Sequence, residues 1–107
     1  MLTPAPVRAN ERHALHLYTL LLGIEDIRIS RDQFLEEMIK RDIGVGVHYI
    51  ALHLHPYYRA LGYAKGDFFN AEWISERTVS LQLSAKLTDS DVEDVIAAVK
   101  GILREYE

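Results

Sequence analysis

Cysteine is absent from this chain of 107 residues, so it offers neither a disulfide framework, nor a thiolate metal site, nor a cysteine nucleophile. No apolar run approaches the roughly 20 residues that a membrane-spanning helix needs. Neither sign of charge forms a long run. The net charge of −4 argues against nucleic-acid and anionic-membrane binders, because both depend on a basic surface. We expect a cytoplasmic protein, since the first residues lack the charged-then-apolar order of a secretory signal.

The composition is that of an ordinary globular domain, with 49% hydrophobic and 26% charged residues. A chain of this length has room for one core, but not for a core together with a deep, enclosed active site. Residues 1–12 hold two of the three prolines and show no apolar period, which predicts an extended lead-in or linker. Residues 13–107 are therefore expected to form the folded domain.

The apolar pattern predicts an α+β fold, with a small sheet of about three strands and helices on one face. Strands are predicted at 13–22, at 45–50 and at 79–83, where apolar residues are continuous or alternate with other residues. Residues 51–66 contain Pro56 and two glycines, which indicates an irregular crossing with about one helical turn.

Two capping boxes mark helix starts. Ser30 with Gln33 predicts a helix that begins at Arg31 and ends near Gly44, and Thr88 with Asp91 predicts a helix that runs to about residue 106. The first helix has an apolar stripe formed by Phe34, Leu35, Met38 and Ile39. A short helix is predicted at 70–77, next to the large side chains of Phe68, Phe69 and Trp73. We expect these aromatics to complete the core; the alternative is an exposed apolar surface that a partner covers.

Histidines are the chief candidates for chemistry. Three of the five, His48, His53 and His55, lie close together in the sequence, and Tyr49 follows the first. A zinc site needs three or four converging ligands, and no acidic residue lies between His48 and Pro56, so hydrogen-bonding histidines are favoured over metal ligands. Neither a strained serine elbow nor a phosphate-binding glycine loop is recognisable. What remains is a strand and loop that present hydrogen-bond donors to an anionic ligand.

Three segments, Gly44–Arg59, Gly66–Trp73 and Ser80–Asp89, carry a resemblance in the same order to a known family. The chain resembles the C-terminal domain of the DegT/DnrJ/EryC1/StrS sugar aminotransferases. The resemblance implies the small C-terminal domain of the aspartate-aminotransferase fold. It also implies a parent enzyme that uses pyridoxal phosphate to transfer an amino group, usually from glutamate, to a keto group of a nucleotide-linked sugar.

The resemblance also implies which parts are elsewhere. In the family, the lysine that binds pyridoxal phosphate lies in a large domain, and no lysine of this chain matches it. We therefore expect pyridoxal phosphate in the full-length enzyme, no cofactor on this chain alone, and no catalysis by it. The implied partners are the missing large domain, a second subunit of a homo-oligomer and a nucleotide-sugar substrate, with no nucleic acid and no membrane.

Three residues are implied to bind substrate, namely His48, Tyr49 and His53, and none is assigned to catalysis or to a metal. An imidazole and a phenol can both donate hydrogen bonds to diphosphate or sugar oxygens. A competing interpretation places Tyr49 in the core beside Val45 and Val47. The alternative function is a stand-alone, non-catalytic binding or interaction module with the same fold.

Overall fold

Two short antiparallel strands form the centre of the fold in the computed structural model, which describes residues 1–14 and 16–107. Strand β1 spans Tyr18–Leu21 and strand β2 spans Thr78–Leu81. Leu20 lies opposite Val79, and Thr19 lies opposite Ser80. Because neighbouring residues of a strand point to opposite faces, Leu20 and Val79 share one face of the sheet while Ser80 lies on the other.

The two predicted capped helices pack against the Leu20 face. Helix α1 spans Arg31–Ile39 and helix α4 spans Asp89–Glu105, and both capping boxes are confirmed. These elements and the segments next to them build one apolar core, which consists of Leu20, Leu22, Ile29, Phe34, Met38, Ile43, Val79, Val99 and Ile102. The α+β class is thus confirmed.

Helix α1 ends earlier than Gly44, where the sequence predicted its end. Asp42 adopts a positive φ of 60° directly after the last turn. The Ile43 N–H donates to the carbonyl of Met38 at 3.1 Å, and the Asp42 N–H donates to that of Ile39 at 2.9 Å. These two bonds satisfy the last carbonyls of the helix in the manner of a Schellman motif, in which aspartate takes the place usual for glycine.

The predicted count of three strands is not confirmed, because the sheet has two strands. The segment predicted as a strand at 45–50 forms only a single bridge, between Gly46 and Ser80. Leu2 makes a similar bridge to Leu21 on the other edge. The predicted strand at 13–22 is observed only as β1, and Leu15 within it lies outside the described residues.

The crossing between the sheet segments is more regular than predicted. It holds a 3₁₀ helix at Leu52–Leu54 and helix α2 at Pro56–Ala60. Helix α3 follows at Phe69–Ser75, close to the predicted 70–77. Among the described residues, no helix combines the length and the apolar character that crossing a membrane requires.

Neighbouring residues of α1 provide a test of this packing. Met38 is fully buried, whereas Ile39 is 61% exposed although the sequence placed it on the same apolar stripe. We expect Met38→Ala to lower the free energy of unfolding by about 2–5 kcal/mol, since it leaves a cavity. Ile39→Ala should change it by about 0.5 kcal/mol or less. Urea denaturation of both variants checks this, and equal losses would contradict the packing described.

Candidate ligand-binding site

His48 is held against β2 through Ser80, which contacts both the His48 ring and the backbone just before it. Its Nδ1 lies 2.8 Å from the hydroxyl oxygen of Ser80. The backbone of Gly46, two residues earlier, both donates to and accepts from the backbone of Ser80, at 3.0 and 2.8 Å. The imidazole lies over Gly46, so closely that an added Cβ there would be 3.1 Å from the ring Cε1. His48 is thus fixed on the sheet face opposite the helical core.

Tyr49 lies beside this ring at the surface. Its side chain is 69% exposed, so the interpretation that packs Tyr49 in the core is wrong. The two rings meet edge to face, with centroids 4.8 Å apart, and the peptide bond that joins the residues is cis. The structure therefore places an imidazole and a phenol next to each other where a ligand can reach them.

His53 is placed differently, because it is only 6% exposed. Its Nε2 lies 2.7 Å from Oε1 of Glu72, and its ring packs edge to face on Phe68. The same carboxylate oxygen accepts from the Gly66 N–H at 2.7 Å. The hydrogen bond to His53 has the largest effect on the pKa of Glu72, followed by the bond from Gly66, and both lower this pKa below its ordinary value. The assignment of His53 to substrate binding stays a prediction, and the contacts shown are with the protein itself.

Helix α3 anchors the segment that carries these histidines. Glu72 and Ser75 are three residues apart and so lie on one face of the helix. The Ser75 hydroxyl accepts from the Ala51 N–H at 2.9 Å, just before the 3₁₀ helix. Arg77, just after the helix, holds α3 in place. Its guanidinium stacks on the Trp73 ring at 4.4 Å, and it donates hydrogen bonds to the Trp73 carbonyl and to the Glu25 carboxylate.

Sequence reasoning missed Ser80, Glu72 and Ser75. The spacing of Glu72 and Ser75 within a short predicted helix was a usable signal for a polar face. The alternation in β2 likewise put Ser80 on the side away from the core. Neither signal names a partner, because the contacts join segments 19 to 32 residues apart.

An aromatic cleft lies beside the buried histidine. Its volume is about 340 Å³, and it is lined by Leu52, His53, Tyr58, Tyr63, Phe68 and Ala71. Phe68 and Phe69 do not complete the core as expected, since Phe68 lines this cleft and Phe69 is 74% exposed. The aromatic surface of this region is therefore open to solvent or to a partner.

The side chains present do not fit a covalently bound pyridoxal phosphate. All four lysines, at positions 40, 65, 86 and 100, are exposed. Lys40 pairs with Glu37, which raises the pKa of the lysine, whereas a nucleophilic amine needs a lowered one. Among residues 1–14 and 16–107, no three histidine, aspartate or glutamate side chains are grouped to hold a metal ion.

Fold and site together define a small α+β domain in which an imidazole and a phenol lie side by side and all four lysines are exposed. Residues 1–100 match the model of the DegT/DnrJ/EryC1/StrS aminotransferase family, and the chain belongs to this family.

Similar proteins are several times longer than this chain. An uncharacterized protein of Methanocaldococcus jannaschii, MJ1066, is 51% identical over 98% of this chain and 27% of its own length. The aminotransferase TlmJ from Streptoalloteichus hindustanus is 28% identical, with a TM-score of 0.80 over 97% of this chain and 26% of its own. The putative sugar aminotransferase Spr1654 from Streptococcus pneumoniae, in its PLP form, is 28% identical, with a TM-score of 0.75 over 84% of this chain and 23% of its own.

The anchor at Glu72 predicts a pH dependence of stability. Because folding lowers the pKa of Glu72 from its ordinary 4.5, the carboxylate stabilises the fold above that value, and the stabilisation is lost as the pH falls through the lowered pKa. Glu72→Gln should therefore be less stable than the wild type at pH about 7, and the difference should shrink as the pH falls below 4.5 and through the lowered pKa. Urea denaturation across this range measures it.

Glu93→Gln is the control, since Glu93 is an exposed glutamate of helix α4 that makes no ion pair among the described residues. It should follow the wild-type curve. A Glu72→Gln variant that also follows the wild-type curve would contradict the role of Glu72 as an anchor.

Proposed function

We propose that this chain is the C-terminal domain of a pyridoxal-phosphate-dependent nucleotide-sugar aminotransferase, which transfers an amino group from glutamate to a keto sugar. One observation carries the proposal: the family match extends over residues 1–100, yet the chain spans only about a quarter of its relatives' length. The remaining three quarters are the part in which the cofactor lysine is expected.

The proposed division of work follows from the side chains. The rest of the enzyme supplies the lysine and the cofactor contacts, and this domain supplies part of the substrate site. All four lysines are exposed, and Lys40 and Lys65 are ion-paired, which supports a chain that binds no cofactor and is inactive by itself. The structural likeness to an aminotransferase in its PLP form supports pyridoxal phosphate as the cofactor of the full-length enzyme.

His48 and Tyr49 are proposed to bind the substrate. Both carry a hydrogen-bond donor; Tyr49 is exposed, and the half-buried His48 contacts Ser80 on the sheet face opposite the helical core. Donors of this kind suit the acceptor oxygens of a diphosphate and a sugar. His53 is proposed to serve the same site mainly through Glu72, by fixing the segment that follows Tyr49.

The large domain and a second subunit are proposed to cover the exposed apolar surface. Of the 17 exposed large hydrophobic side chains among the described residues, eight lie between residues 49 and 69. The radius of gyration is 15.7 Å, against roughly 13 Å for a compact domain of about 100 residues. An extended shape with an exposed apolar segment, here residues 49–69, is typical of a part that is completed by other chains or domains.

We propose a cytoplasmic location for the whole enzyme.

Substrate binding is tested by titrating the chain with uridine diphosphate N-acetylglucosamine and recording amide resonances. We expect shifts at residues 46–54, around the two donors. His48→Ala should weaken binding roughly ten- to hundredfold, since a hydrogen bond to a charged group contributes about 1.5–3 kcal/mol. His55→Ala, at an exposed histidine close by, is the control and should bind as the wild type does. An unchanged wild-type spectrum would remove the assignment of His48 and Tyr49.

The size of the native product separates this proposal from a stand-alone binding module. The module has one observation in its favour, namely that the chain has its own core and two capped helices. An antibody raised against the chain should detect a band several times heavier than 12.3 kDa in a lysate of the source cells. A band at 12.3 kDa would instead support the module.

A further inference from the structure

We propose that Ser80 is the positioning residue of the candidate site: it fixes His48 as the tautomer that carries its proton on Nε2, so that the ring meets ligand oxygens as a donor. The ligand part of this inference rests on the proposed function, whereas the tautomer rests on the structure of the chain alone.

Ser80 holds its hydroxyl in a fixed place. It lies within β2, where its backbone pairs with Thr19 of β1 on one side and with Gly46 on the other. Its side chain is buried. The backbone of Ser80 is hydrogen-bonded on both edges and its side chain is buried, so the position of Oγ is restricted. The His48 ring that contacts Oγ is held in place by the same contact.

The hydrogen-bond capacity of the two groups decides the tautomer. A serine hydroxyl has one hydrogen to donate, and a neutral imidazole has one nitrogen that donates and one that accepts. Among the described residues, Nδ1 of His48 is the only hydrogen-bond partner of the Ser80 hydroxyl. If Nδ1 carried the proton, it would donate to Oγ and leave the buried hydroxyl hydrogen without an acceptor, which is unfavourable. If the hydroxyl donates to Nδ1, both groups are satisfied.

The proton of the neutral ring therefore lies on Nε2. This nitrogen is on the far side of the ring from Ser80 and has no partner among the residues that the structure describes. The phenol of Tyr49 stands beside the same ring. Two donors at one surface favour a ligand rich in acceptor oxygens, such as the diphosphate of a nucleotide sugar, over a cationic one.

His53 provides an internal comparison. Its Nε2 faces the Glu72 carboxylate at 2.7 Å, and a carboxylate only accepts, so this nitrogen also carries a proton. The donor of His53 is thus used within the protein, whereas that of His48 is left for a ligand. The two histidines thus differ in what their Nε2–H groups contact.

Nitrogen-15 spectra of the imidazole rings test the tautomer in the intact chain at pH about 8, where unperturbed histidine is neutral. His48→Gln assigns the His48 signals. We expect a protonated Nε2 and an unprotonated, hydrogen-bonded Nδ1 in the wild type. Ser80→Ala should move the Nδ1 signal towards that of a free nitrogen, and Ser80→Thr, which keeps a hydroxyl, should move it less. Ser84→Ala, at an exposed serine, is the control and should leave the His48 signals unchanged.

A proton on Nδ1 in the wild type would overturn the inference, and so would His48 signals that are identical in the wild type and Ser80→Ala. Should Ser80→Ala fail to fold, the wild-type and Ser80→Thr spectra still decide the tautomer. The ligand role is measured separately, with uridine diphosphate N-acetylglucosamine. Ser80→Ala should bind it several-fold more weakly than Ser80→Thr, and equal affinities would refute the positioning role. If the wild type binds none of this probe, the proposed function loses its site, while the imidazole spectra alone decide the tautomer.

Discussion

The alternation of side chains along β2 is the constraint on which both the core and the candidate site depend. Val79 faces the helices and is buried with Phe34 and Met38, while its neighbour Ser80 faces the other way and contacts His48. A shift of the pairing by one residue would place serine in the core and valine beneath the imidazole. The register with β1 is therefore fixed by apolar burial on one face, and the site on the opposite face depends on that register.

The histidines show how the same side chain serves two purposes in one short segment. His53 is buried and bonded to the Glu72 carboxylate, so its imidazole joins the 3₁₀ helix at Leu52–Leu54 to α3. His48 uses one nitrogen for the protein and leaves the other to the surface. The four residues between them include the exposed Tyr49, Ile50 and Leu52. One histidine thus anchors the segment to α3, and the other contacts β2 with a single ring nitrogen.

Local signals in the sequence predicted the elements well. The side chains of Ser30 and Thr88 fixed the starts of two helices, because a capping box acts within four residues and needs no tertiary context. The pattern at 45–50 failed as a strand, because alternation says which residues could share a face but not whether a partner strand pairs along it.

The site was predictable only in part, for a similar reason. The resemblance to a family pointed to His48, Tyr49 and His53, and the structure places the first two side by side. The partners that give each histidine its surroundings, Ser80 and Glu72, come from distant segments, and their pairing follows from the tertiary fold. The expectation that Phe68 and Phe69 fill the core failed because Phe34, Met38 and aliphatic side chains of the sheet and helices already form it, and both phenylalanines stay exposed.

The single carboxylate oxygen of Glu72 joins two points of the chain, His53 and Gly66, that lie 13 residues apart in the sequence. Residues 53–66 therefore form a loop that one acceptor atom closes at its base. Just outside this loop, the Ala51 N–H donates to the Ser75 hydroxyl. Such a loop is lost or kept as a unit, because releasing Glu72 frees both ends together. Tyr58 and Tyr63, between these two points, line the aromatic cleft together with His53 and Phe68, so the closed loop packs back onto its own base. A change of shape at the tip is therefore felt at the same aromatic surface that the base supports.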